Sequence, residues 1–113
     1  SLELQILTAQ NEKLKGNEAF RSGDFKEALV YYNRSLEMQN QTAVYNNRAI
    51  TYIKLERYQD ALADCNLVLK EEPTNLKAYL RRGISNEALH RFHEARDDYQ
   101  RVLDGEPRNK RAL

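Results

Sequence analysis

The chain has 113 residues, of which 31% are charged, 41% hydrophobic and 9% aromatic, with a formal net charge of +1. This length suits one domain with a modest core, and the balanced charge excludes both a disordered polyampholyte and the basic excess of a nucleic-acid binder. No apolar run approaches the roughly 20 residues of a membrane span, and Ser1-Leu2-Glu3-Leu4-Gln5 lacks the basic-then-apolar order of a signal peptide. The lone Cys65 excludes an internal disulfide and fits a reducing, cytoplasmic setting, where the sequons at Asn33 and Asn40 carry no glycan. The abrupt ends lead us to expect a monomeric domain taken from a longer protein.

Apolar periodicity predicts an all-α chain of six amphipathic helices. The first covers about 3–22 and breaks at Gly23-Asp24, where Asp24 is the expected N-cap of the second, about 24–39. The third, about 42–55, is separated by Glu56-Arg57 from the fourth, about 58–71. After Pro73, Thr74 is the expected cap of the fifth helix, about 75–89, and His90-Arg91 precedes the sixth, about 92–104. Residues 110–113 read as the start of a capping helix cut short, which would leave the last hairpin the least stable.

The helices come in similar pairs. Phe25–Ala28, Tyr58–Ala61 and Phe92–Ala95 repeat one pattern with a period near 34, each preceded by a small residue (Gly16, Ala49, Gly83) and followed by Leu36, Leu69 and Leu103. Pro73 and Pro107 close two of the copies. This order resembles the tetratricopeptide repeat (TPR). The resemblance implies a single domain over 1–113 with repeats at about 9–41, 42–75 and 76–109. It also implies a right-handed superhelical solenoid whose concave groove is lined by the first (A) helix of each pair. Small residues are expected where A and B helices approach, Ala28, Ala61 and Ala95 facing Gly16, Ala49 and Gly83. The aromatics Phe20, Phe25, Tyr32, Tyr52, Tyr58, Phe92 and Tyr99 are expected to fill the gaps beside them.

Charge follows the layers: the A helices, with Arg48, Lys54, Lys77, Arg81 and Arg82, are net positive and the B helices net negative. A positive groove points to an acidic ligand. Lys13 and Asn17 share a helix face as an i, i+4 pair, Lys77 and Arg81 repeat that relation, and Asn47 lies at the level of Arg81 in its own repeat. Together they should form a donor-rich patch suited to gripping two carboxylates.

The segments Leu14-Lys15-Gly16-Asn17-Glu18-Ala19-Phe20, Tyr45-Asn46-Asn47-Arg48-Ala49 and Lys77-Ala78-Tyr79-Leu80-Arg81-Arg82-Gly83 resemble the two-carboxylate-clamp TPR domains of heat-shock co-chaperones. That family includes the Hsp organising protein, protein phosphatase five, mitochondrial import receptors, and the R2TP and dynein-arm assembly co-chaperones. Its five clamp positions fall on Lys13, Asn17, Asn47, Lys77 and Arg81. The resemblance implies that the E-E-V-D tail of heat-shock protein 70 or 90 lies in the groove, with Phe20, Ile50, Ile53 and Ile84 as the apolar contacts of the tail valine.

Other features read as ordinary. His90 and His93 flank a turn without a third ligand, so no metal is expected, and Cys65 takes the repeat position of Tyr32 and Tyr99 as packing. No phosphate loop, nucleophile arrangement or cofactor motif is present, so no enzyme activity and no cofactor are expected. The competing expectation is a TPR scaffold that holds an internal peptide or a partner subunit, for which a free α-carboxylate would be irrelevant.

Overall fold

The computed structural model describes residues 1–113, which form six helices and no strand: α1 (Leu2–Arg21), α2 (Phe25–Met38), α3 (Thr42–Lys54), α4 (Tyr58–Glu71), α5 (Leu76–Ala88) and α6 (Phe92–Gly105). Each odd helix pairs with the next even one, and α2 and α4 also pack on α3 and α5. The odd helices touch one another, α1 on α3 and α3 on α5, whereas α2, α4 and α6 do not. An inner layer packed closer than its outer layer curves the array, so α1, α3 and α5 line the concave side of a body 45 × 26 × 23 Å in extent.

The three hairpins are closed by one device. The backbone N–H three residues past the end of α1 reaches back from Asp24 to the Ala19 carbonyl (2.9 Å); Arg57 to Tyr52 and Arg91 to Asn86 (both 2.8 Å) repeat it. This helix ending requires a left-handed residue, and Gly23 supplies one at φ 80°. Glu56 (φ 58°) and His90 (φ 60°) adopt the same conformation without being glycine. Asp24 caps α2 through its side chain, accepting from Glu27 N at 3.1 Å. The expected cap at Thr74 is instead Asn75, whose Oδ1 accepts from Ala78 N at 2.9 Å. The N-cap site lies one residue later because α5 begins at Leu76.

Close helix approach rests on a size exchange across each hairpin. A Cβ on Gly16 would stand 2.6 Å from the Tyr32 ring, and one on Gly83 would stand 2.7 Å from the Tyr99 ring. The nearest atoms facing both glycines are thus these tyrosine rings, where alanines were expected. In the middle repeat the same two positions are Ala49 and Cys65, both fully buried: a larger residue on one helix is matched by a smaller one on the other. Burial also pushes the Cys65 thiol up to about 12, leaving it protonated and inert at neutral pH. Gly16→Ala is therefore expected to lower stability by about 1–3 kcal/mol, the usual cost of overpacking, read as a shift in denaturant midpoint.

Phe92 departs from expectation. It is 62% exposed and stacks on the His90 ring (centroids 5.6 Å apart) where Phe25 packs edge-on against Phe20 at 5.2 Å. The reason lies in its partner: Phe25 packs on Phe20 of α1, whereas the residue at that repeat position in α5 is the exposed, charged Glu87. After α6 the chain makes a short turn. In that turn Asn109 Oδ1 accepts from Arg111 N and Ala112 N (3.0 and 3.2 Å), and Ala112 is buried.

Candidate functional site in the concave groove

A cavity of about 280 Å³ opens at the centre of the concave face, lined by Asn17, Phe20 and Arg21 of α1, Tyr32 of α2, Asn47 and Ile50 of α3, and Arg81 of α5. Its wall thus contains two cations, two amides, a phenol and apolar side chains, with no carboxylate among them. Asn17 follows directly on Gly16, so the close approach of α1 and α2 also brings the Asn17 amide to the Tyr32 hydroxyl. Asn17 Oδ1 accepts from Tyr32 Oη at 2.6 Å and from Asn47 Nδ2 at 3.0 Å.

Arg81 is tied to the preceding repeat. Its Nη1 donates to the Asn46 carbonyl (2.8 Å) and to Asn46 Oδ1 (2.7 Å). Asn46 in turn contacts Asn75 Oδ1, the cap of α5, at 3.4 Å. Burial pulls the Arg81 pKa below the usual arginine range, and no carboxylate pairs with it. The guanidinium stays charged, since arginine cannot lose its proton near neutrality. Nε and Nη2 have no acceptor in the chain and remain available.

The neighbouring arginines are built differently, which corrects the sequence expectation of a uniformly positive groove. Arg48 grips Asp64 of α4 with two bonds (Nε 2.8 Å, Nη2 2.7 Å) and reaches Asn33 of α2 at 2.9 Å. Arg82 repeats the arrangement on Asp98 of α6 (Nη2 2.7 Å) and Asn66 of α4 (3.0 Å). Both arginines therefore spend their charge between layers, stitching each repeat to the one before it. Of the three half-buried arginines in α3 and α5, Arg81 alone lacks an anion.

Asn17, Phe20, Asn47, Ile50 and Arg81 thus come together around one cavity. Lys13 and Lys77 do not line it; each stands one turn before Asn17 or Arg81 on the same helix, Lys13 half-buried and Lys77 exposed, with no hydrogen bond or ion pair. Ile53 is half-buried outside the cavity. Ile84 lines a separate opening of about 570 Å³ with Tyr58, Glu87, Ala88, Lys110 and Arg111. Sequence reasoning missed Arg21, Tyr32 and Asn46 as parts of the site. It also missed the interlayer ties, although Asn33/Asn66, Arg48/Arg82 and Asp64/Asp98 recur at matching repeat positions and could have been found that way.

Stacked helical hairpins that repeat one pattern of small and large residues define a helical-repeat protein. Tetratricopeptide repeat models match residues 14–42 and 42–75, and the chain belongs to the tetratricopeptide repeat family. It is similar to Sperm-associated antigen 1 of Rattus norvegicus, 55% identical over 74 residues, which are 66% of this chain but only 8% of that protein. Among solved structures it is similar to the first TPR of Spaghetti bound to the HSP90 peptide SRMEEVD (36% identity, TM-score 0.88, 95% of this chain and 86% of that one). A second is the second TPR domain of human RPAP3 in complex with the HSP70 peptide SGPTIEEVD (29% identity, TM-score 0.83, 99% and 92%).

Proposed function

We propose that the domain is a co-chaperone module that binds the acidic C-terminal E-E-V-D tails of heat-shock protein 70 and heat-shock protein 90 in the cytoplasm. The observation that carries this reading is Arg81: a half-buried guanidinium without a counter-ion, beside two amides, in a cavity without a carboxylate. Such a site gains most from an incoming carboxylate, which restores to Arg81 the anion its neighbours already have. Arg81, Asn17 and Asn47 receive the terminal carboxylates, and Lys13 and Lys77, mobile on their long stems, close over them from one turn away. Phe20 and Ile50 offer the apolar wall for the tail valine, whereas Ile53 and Ile84 lie beyond the central cavity and would meet residues further from the terminus. The two similar domains solved with E-E-V-D peptides support the assignment.

The test is calorimetric titration with one peptide ending in E-E-V-D, prepared with a free and with an amidated C-terminus. The free acid is expected to bind with a Kd on the order of micromolar, about −8 kcal/mol, weakening as salt rises. The amide is expected not to bind. Equal binding of both forms would instead favour a scaffold for internal peptides.

A further inference from the structure

We propose that Tyr32 is a positioning residue whose hydroxyl sets the orientation of the Asn17 amide, so that the groove offers donors and not an acceptor to a bound carboxylate. The proposal rests on the carboxylate-binding reading above and extends it to a residue on the outer layer of the hairpin.

Tyr32 is 1% exposed, and its hydroxyl has a single acceptor in the chain, Asn17 Oδ1 at 2.6 Å. A buried hydroxyl that loses its acceptor is costly, so the Asn17 oxygen is held inward. Asn47 Nδ2 adds a second donor to the same oxygen at 3.0 Å. With both lone pairs of Oδ1 occupied, the two N–H bonds of Asn17 Nδ2 are left for the cavity, which is the polarity an anion requires. Reversing the amide would turn Oδ1 toward the cavity and repel a carboxylate. Burial drives the Tyr32 pKa up to about 12, so the phenol keeps the proton it donates across the physiological range.

The repeats themselves separate this role from packing. Tyr99 occupies the equivalent position in the third repeat and its ring covers Gly83 as Tyr32 covers Gly16. The Tyr99 hydroxyl, however, donates to Glu87 Oε1 at 2.7 Å, and the residue equivalent to Asn17 there is Ile84. In the middle repeat the pair is Cys65 and Ile50, without a hydroxyl or an amide. The ring is thus the packing element shared by the first and third repeats, and the hydroxyl-to-amide bond belongs to the first repeat alone.

Tyr32→Phe keeps the ring and deletes the bond. Two readouts test it: side-chain amide NMR of the free protein, and affinity for a free-acid E-E-V-D peptide in a double-mutant cycle with Asn17→Ala. Tyr32→Phe is expected to shift or broaden the Asn17 and Asn47 amide signals and leave those of Asn75 and Asn86 in place. Affinity is expected to fall roughly 3- to 10-fold in the parent and to be unchanged in the Asn17→Ala background. Unmoved Asn17 and Asn47 signals overturn the proposal, as does an equal affinity loss in both backgrounds. If the parent protein does not bind the peptide, the proposed function fails, while the amide signals still decide the orientation of Asn17.

Discussion

Arg81→Ala is expected to reduce E-E-V-D peptide binding below detection while the domain remains folded. The substitution removes the one half-buried cation lining the cavity, which has no anion of its own, together with the unused donors on Nε and Nη2. Truncating one member of a desolvated interfacial charge pair costs roughly 2–5 kcal/mol, which takes a micromolar complex out of the range of a routine titration. Arg81 also ties α5 to α3 through Asn46, so some loss of stability is expected as well. Arg81→Lys separates the two contributions: it keeps the charge, loses the planar fork, and should bind measurably but weakly. Lys26→Ala, on an exposed position of α2, should leave affinity unchanged. Normal affinity in an Arg81→Ala protein that melts cooperatively would remove the clamp assignment.

The same comparison shows which parts of the molecule could be read from the sequence. Helix pairing was legible because it is written in residue size at a fixed period: Gly16, Ala49 and Gly83 can be nothing larger where a tyrosine ring or a thiol packs against them. That Asn17, Asn47 and Arg81 lie around one cavity follows from i, i+4 geometry and the repeat period, which determine which way an A helix points each side chain. What the residues do to one another was less accessible. Arg48, Arg81 and Arg82 lie within two consecutive A helices, yet two are neutralised by buried aspartates and one is not. That difference depends on which B-helix residue lies opposite, a relation between helices that periodicity along one helix does not contain. Tyr32 was recognised by its ring, but its hydroxyl also donates to Asn17 Oδ1 across the hairpin. Phe92 was assigned to packing from its place in the repeat, but its own hairpin carries Glu87 where the first carries Phe20, so the aromatic partner of Phe25 has no counterpart there.

Arg48→Ala is expected to be the most destabilising single change at a polar residue, by about 3–5 kcal/mol, a large share of the 5–15 kcal/mol typical of a small domain. Asp64 has 2% of its surface exposed and its only hydrogen-bond donor is Arg48, so the variant leaves a carboxylate buried and alone. Burial already raises the Asp64 pKa despite the pull of Arg48; without that partner it must rise further. A carboxyl with a raised native pKa binds protons more tightly folded than unfolded, so stability falls as pH rises through that range. The variant should therefore recover part of its stability when pH is lowered from 7 toward 5, seen as a rising melting temperature. Replacing both partners with apolar residues, Arg48→Met with Asp64→Leu, should restore most of the loss, since no charge is left unpaired. Arg82→Ala provides the internal comparison. Asp98 also accepts from Asn86 Nδ2 at 3.1 Å, a donor that Asp64 lacks, so its carboxylate keeps one partner and the cost should be smaller. Equal losses in the two variants would mean that the amide offers Asp98 no protection, and that each arginine's tie to the preceding repeat, through Asn33 or Asn66, sets the cost.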